Sequence, residues 1–184
     1  MPDKERYMLL TGASRGIGHA TVKLFQEHNW HIFTVSRQPF SEDCRWPSAR
    51  ASHVQADLAD LSCLDALVAE VRSRLPGGEL HALVNNAGIS PKGPHGARLG
   101  ILDSDMDTWG RVLNVNLVST ALLARALFPE LKKGQGSIVN VTSIAGSRVH
   151  PFAGVAYSAT KAGLAALTRE LAHEIAPQGI RANA

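Results

Sequence analysis

No tight cluster of lysine and arginine occurs in this sequence. Its 19 basic residues are spread along the chain against 16 acidic ones, for a net charge of +3. That scatter excludes a nucleic-acid platform, which needs basic side chains gathered where they can track phosphates. Cysteine is nearly absent, with only Cys44 and Cys63 and no Cys-x-x-Cys or His-x-Cys spacing, so neither a disulfide scaffold nor a metal site is indicated and a reducing compartment fits. Long apolar runs are missing too. Only Tyr7 to Leu10 precede Thr11-Gly12, too few for a secretory leader and far short of the ~20 residues that cross a bilayer. The expectation is a cytoplasmic protein with no membrane partner. There is no internal repeat and no low-complexity tract, and aromatic residues make up only 5%.

What is present is a globular composition: 184 residues, 45% of them hydrophobic, enough for one core and one domain spanning 1–184. Short apolar runs alternate with helical stripes. Strands are expected at Tyr7–Leu10, His31–Ser36, Val54–Ala56, Leu80–Val84 and Ser137–Val141, with a sixth only begun at Ile180. Helices are expected at Ile17–His28, Leu61–Leu75, Met106–Leu131 and Ala156–Ile175. Unbroken apolar strands alternating with helices call for parallel pairing through right-handed crossovers. The fold class is therefore α/β, a doubly wound Rossmann-like parallel sheet of strand order 3-2-1-4-5, whose ligand site lies outside the carboxyl ends of the strands.

The first strand ends in Thr11-Gly12-Ala13-Ser14-Arg15-Gly16-Ile17-Gly18. A glycine-rich turn opening a helix lets backbone N–H groups and the positive helix end face a pyrophosphate, although the spacing differs from the general Gly-x-Gly-x-x-Gly fingerprint. At the end of the second strand, 18 to 20 residues beyond Gly18, stand Ser36-Arg37-Gln38. An acid there would hold the ribose 2′-hydroxyl of NAD, whereas a guanidinium pairs with a 2′-phosphate. Arg37, with Arg15 in the turn, argues for NADP(H).

Tyr157 and Lys161 are four residues apart at the start of the last long helix, and so share a helix face. An ammonium beside a phenol favours its ionised form and suits it to acid–base work on a carbonyl or alcohol. Ser143 closes the fifth strand 14 residues before Tyr157, where a hydroxyl can hold a substrate oxygen or merely form a turn. Asn116 falls on the apolar stripe of its helix, where an amide needs partners; Asn114 reads as an outer-face residue.

Thr11-Gly12-x-x-x-Gly16-x-Gly18, Asn85-Asn86-Ala87-Gly88, Ser143 and Tyr157-x-x-x-Lys161, in that order, resemble the classical short-chain dehydrogenase/reductase family, and Gly12-Ala-Ser-Arg-Gly-Ile-Gly18 with Ile180-Arg181-Ala182-Asn183 is most similar to its 3-oxoacyl-carrier-protein reductases. The resemblance implies reversible NAD(P)-dependent hydride transfer, here reduction of a ketone or 3-oxoacyl carbonyl. It makes Tyr157 the general acid. Lys161 would ease ionisation of that phenol and hold the nicotinamide ribose, Ser143 would polarise the carbonyl, and Asn116 would fix a proton-relaying water. Cofactor contacts would come from Gly12, Ser14, Arg15, Gly16, Ile17, Gly18, Arg37, Asp57, Leu58, Asn86, Ala87 and Gly88, besides Tyr157 and Lys161. It also implies a homodimer or homotetramer, and a longer chain whose remaining segments complete the substrate pocket; the 184-residue portion alone is expected to bind cofactor weakly and turn over little. The alternative is a truncated, catalytically impaired family member with a sensing or scaffold role, against which the intact Ser143, Tyr157 and Lys161 speak.

Overall fold

The computed structural model describes residues 5–39 and 52–184; Cys44 lies outside them. Six parallel strands form one sheet in the order β3-β2-β1-β4-β5-β6: β1 (Arg6–Thr11), β2 (Trp30–Ser36), β3 (His53–Gln55), β4 (Ala82–Asn85), β5 (Ser137–Asn140) and β6 (Arg181–Asn183). The expected order holds, and the strand expected to begin at Ile180 is three residues in register with β5, Ile138 opposite Ala182.

Strand β1 is apolar because both of its faces are covered. Met8 and Leu10 pack with Val22 of α1 (Gly16–Gln26) on one side of the sheet. Tyr7 and Leu9 join the larger core on the other, with Leu67 and Val71 of α2 (Leu64–Ser73). Period-two alternation thus divides one strand between two cores.

The stretch expected as one helix from Met106 to Leu131 is broken twice. After α3 (Met106–Leu113) the chain makes a π turn over Asn114–Val118, then continues as α4 (Ser119–Ala126) and, after a break at Leu127 (φ −95°, ψ 9°), as α5 (Phe128–Lys133). Pro129 sits in the first turn of α5, where a missing N–H costs nothing. The π turn swings Asn114 off the outer face: its Nδ2 donates to the Ala59 carbonyl at 2.9 Å, so the outer-face expectation is corrected. The last helix, α6 (Val155–Ile175), packs against β5 and β6. Among the described residues no helix is long and apolar enough to cross a membrane, and no group of His, Cys, Asp or Glu side chains could hold a metal ion.

The carboxyl ends of β1, β4 and β5 lie in line: Thr11 opposite Asn85, and Asn85 opposite Asn140. Asn85 Nδ2 donates to Asn140 Oδ1 at 2.9 Å, Asn140 Nδ2 to Thr168 Oγ1 at 2.9 Å, and the Thr168 hydroxyl to the Leu164 carbonyl at 2.7 Å. These buried polar groups fix α6 to the middle of the sheet. Asn140→Ala strips partners from both neighbours, and each buried polar group left unmatched costs about 1–3 kcal/mol. The variant is expected to lose about 2 kcal/mol or more in urea unfolding, against a much smaller loss for Val139→Ala, whose side chain is 38% exposed.

Candidate active site

The turn after β1 is stitched to the loop after β4. Thr11 Oγ1 accepts from the N–H groups of Asn86 (3.1 Å) and Ala87 (3.0 Å), and Asn86 Nδ2 donates to the carbonyls of Thr11 and Gly12 at 3.1 and 2.9 Å. Two of the three glycines are required by this packing. A Cβ on Gly12 would stand 2.8 Å from Ala87 Cα, and one on Gly18 would stand 2.3 Å from the Gly12 carbonyl oxygen. Gly16 is different: its φ is +59° and nothing lies within 4 Å of where its Cβ would be. Arg15, extended at φ −158°, makes no side-chain capping bond to α1, so the first N–H groups of the helix stay available to an anion.

That helix end opens on a cleft of about 520 Å³. Its walls include Gly12, Ser14, Arg15, Gly16, Ile17, Arg37, Asp57, Leu58, Asn86, Ala87 and Gly88, all expected from sequence. Gly18 lies behind the turn rather than on the cleft. Arg15 and Arg37 are exposed, and among the described residues no carboxylate pairs with either. Arg111, Val115, Ile89, Ala59 and Gln38 also line the cleft and were missed.

At the far end of the loop, a Cβ on Gly88 would lie 3.5 Å from Lys161 Nζ and 3.7 Å from Asn116 Oδ1. The loop expected to wall the cofactor therefore adjoins the expected catalytic residues directly. Lys161 is 3% exposed; its Nζ donates to the Val141 carbonyl at 2.6 Å and lies 5.7 Å from the centroid of the Tyr157 ring. Asn116 accepts from Ile89 N–H at 2.8 Å, and its Nδ2 donates to the Ile89 carbonyl at 3.0 Å and to Thr160 Oγ1 at 3.1 Å. It braces the β4 loop against α6. The Thr160 hydroxyl, another residue the sequence reading passed over, donates to the Tyr157 carbonyl at 2.8 Å. Ser143 caps a short turn over Ile144–Gly146, its Oγ accepting from Ala145 N–H at 3.2 Å. That turn abuts α6 so closely that a Cβ on Gly146 would lie 2.6 Å from Ala162 N. Ser143, Tyr157 and Lys161 thus come from elements packed together at one sheet edge.

Comparison with known proteins agrees with this geometry. The family profile described as short chain dehydrogenase matches residues 6–184. The chain belongs to the short-chain dehydrogenase family. It is 60% identical over 180 residues to Protein FixR of Bradyrhizobium diazoefficiens, covering 97% of this chain and 65% of that protein. A crystal structure of a short chain dehydrogenase/reductase family oxidoreductase from Brucella ovis, in complex with a partially ordered NAD, superposes with a TM-score of 0.94 at 54% identity, covering 98% of this chain and 82% of that one. A 3-oxoacyl-[acyl-carrier protein] reductase from Brucella melitensis superposes at 0.82 with 32% identity, covering 97% and 67%. The chain therefore spans about two thirds of the FixR protein that it matches.

Among short-chain dehydrogenase features, the buried lysine has a direct thermodynamic signature. Burial alone pulls the Lys161 ammonium from its ordinary 10.5 down to about 8, because a low-dielectric site disfavours the charged form. Between those values the unfolded chain binds more protons than the folded one, so stability at this residue rises with pH through the window of about 8 to 10.5 and is lowest below it. Unfolding free energies of the wild type and Lys161→Met, measured from pH 7 to 11, are expected to differ by an amount that changes in favour of the wild type across that window.

Proposed function

We propose that this chain carries the cofactor site and catalytic residues of an NADP(H)-dependent oxidoreductase that reduces a ketone or 3-oxoacyl carbonyl to the alcohol. One observation carries the reading: the loop from Asn86 to Gly88 forms a wall of the nucleotide-sized cleft and ends beside Lys161 and Asn116. The cleft fits a dinucleotide phosphate, with a helix end free of side-chain capping bonds, an open Gly16 face and two arginines that no carboxylate pairs with among the described residues.

A reduced nicotinamide supplies a hydride when bound. Tyr157 then gives its phenolic proton to the carbonyl oxygen, and the Lys161 ammonium, still largely protonated at neutral pH, stabilises the negative charge left on the phenol oxygen. Ser143 Oγ donates a hydrogen bond to the same carbonyl oxygen. Asn116 fixes the relative placement of the β4 loop and α6. Its Oδ1, beside Gly88 and Lys161, keeps a second lone pair for the relaying water. The 2′-phosphate falls to Arg37 and Arg15. The Brucella ovis relative is described with NAD, which makes the choice of nucleotide a property to measure rather than to inherit. The proposal extends to a cytoplasmic location and, on the family likeness, to a homodimer or homotetramer of the full-length protein.

The decisive experiment follows NADPH and NADH consumption with a panel of ketones and β-ketoacyl thioesters. Tyr157→Phe is expected to keep cofactor binding and to lose turnover by about 10²- to 10⁴-fold; equal rates for the two proteins, or none for either, would sink the proposal. Arg37→Asp removes a charge-assisted contact, of the kind worth about 1.5–3 kcal/mol, and adds repulsion. It should move the ratio of NADPH to NADH affinity toward NADH by about tenfold or more, and an unchanged ratio refutes the assignment to NADP(H).

A further inference from the structure

The chain leaves the cofactor wall at Ile89, whose N–H and carbonyl are both held by Asn116, and then folds into a small hairpin before α3. Lys92 and Arg98 form an antiparallel bridge, Gly93 N–H donates to the Ala97 carbonyl at 3.0 Å, and His95 (φ +55°) and Gly96 (φ +77°) make the tip. Two consecutive positive φ values suit a tight hairpin turn. Neither a helical stripe nor a strand pattern marks this segment.

The hairpin docks on the residues that lead into the helix of Tyr157. Arg98 Nε donates to the Ala153 carbonyl at 2.6 Å, Lys92 Nζ donates to the Phe152 carbonyl, and the Leu99 carbonyl accepts from Val155 N–H at 3.0 Å. Contact is close, since a Cβ on Gly154 would stand 3.3 Å from the Leu99 oxygen. Helix α6 has Gly154 at its N-cap and makes no side-chain capping bond of its own. A helix start without such a cap leaves N–H groups unsatisfied and opens readily. Here the Leu99 carbonyl does what a Ser or Asp side chain does elsewhere, and Tyr157 lies two residues further on, inside that first turn. Both cations of the hairpin donate to backbone carbonyls and, among the described residues, pair with no carboxylate, so their work is to hold a chain path. Arg98 is the stiffer of the two, its guanidinium being planar where the Lys92 stem is flexible.

We propose that the hairpin 91–99 positions Tyr157, with Arg98 as the positioning residue that ties the cofactor loop to the start of the catalytic helix; this rests on the acid role given to Tyr157. Held at one end by Asn116 and at the other by the segment 152–155, the hairpin gives the phenol a fixed height above the cofactor wall. Small displacements of a reacting group are costly, a shift near 1 Å being able to lower the rate about 100-fold.

The test compares the wild type with Arg98→Ala and Arg98→Lys by peptide-level hydrogen exchange and by steady-state kinetics on the best carbonyl of the panel. Arg98→Ala should speed exchange of the amides at 155–157 about tenfold or more while leaving β1 and β4 as they were. It should lower kcat about 10- to 100-fold with NADPH affinity unchanged, and Arg98→Lys should recover part of that loss. Unchanged exchange at 155–157 overturns the proposal, as does a loss of NADPH affinity in step with kcat. If the wild type turns over nothing, it is the reductase reading that fails, and the exchange comparison still decides the hairpin's role.

Discussion

A buried ammonium that no carboxylate among the described residues answers is the constraint around which the site is built. Lys161 is 3% exposed and burial is the cause of its lowered pKa; its partner is a backbone carbonyl, Val141, at the end of β5. Removing a charge from water without an opposite charge is expensive, and such perturbed groups gather where chemistry uses them. The geometry shows what keeps this one in place. The turn carrying Ser143 sits against α6 at Gly146 with no room for a side chain, and the Asn85–Asn140–Thr168 chain of hydrogen bonds holds the same helix further along. Once α6 is fixed in this way, the ammonium has nowhere else to go.

The glycine-rich turn shows how one motif can mix two physical causes. Gly12 and Gly18 must be glycine because backbone approaches within 3 Å of their missing side chains, whereas Gly16 faces empty space at a positive φ. Spacing alone does not separate the packing glycines from the one that opens the cleft. What the turn achieves depends on both: Gly18 tucks α1 against Gly12, and only then does the uncapped start of α1 face outward beside Gly16.

Much of this was legible in the chain. Apolar runs alternating with helical stripes sufficed for a parallel sheet, because strands buried on both faces read as apolar runs, and the positions from Gly12 to Lys161 carried motifs at fixed intervals. The long helix was misjudged because apolar periodicity runs on through Asn114–Val118 and Leu127. A π turn changes the register by one residue without changing composition, and such turns are frequent at functional sites. That single residue lets Asn114 reach Ala59 on one side while Asn116 reaches Ile89 and Thr160 on the other. Pro129 was a visible sign of the second break. The hairpin at 91–99 was illegible for another reason: its bonds run from side chains to distant carbonyls, and no local pattern encodes a partner 55 residues away.

Taken together, the contacts converge on the stretch from Asn86 to Ile89 rather than on Ser143, Tyr157 or Lys161 alone. Asn86 holds the first turn through the Thr11 and Gly12 carbonyls, Gly88 leaves the space beside Lys161, and Ile89 is clamped on both backbone groups by Asn116. A ligand pressing on the cleft therefore presses on the same four residues that border Lys161 and Asn116. Rigid coupling of this kind needs no hinge or lid, because interiors packed to this closeness transmit a displacement instead of absorbing it. The cleft and the Tyr157–Lys161 pair are in that sense two faces of a single loop, and a change that loosens the loop is felt at both.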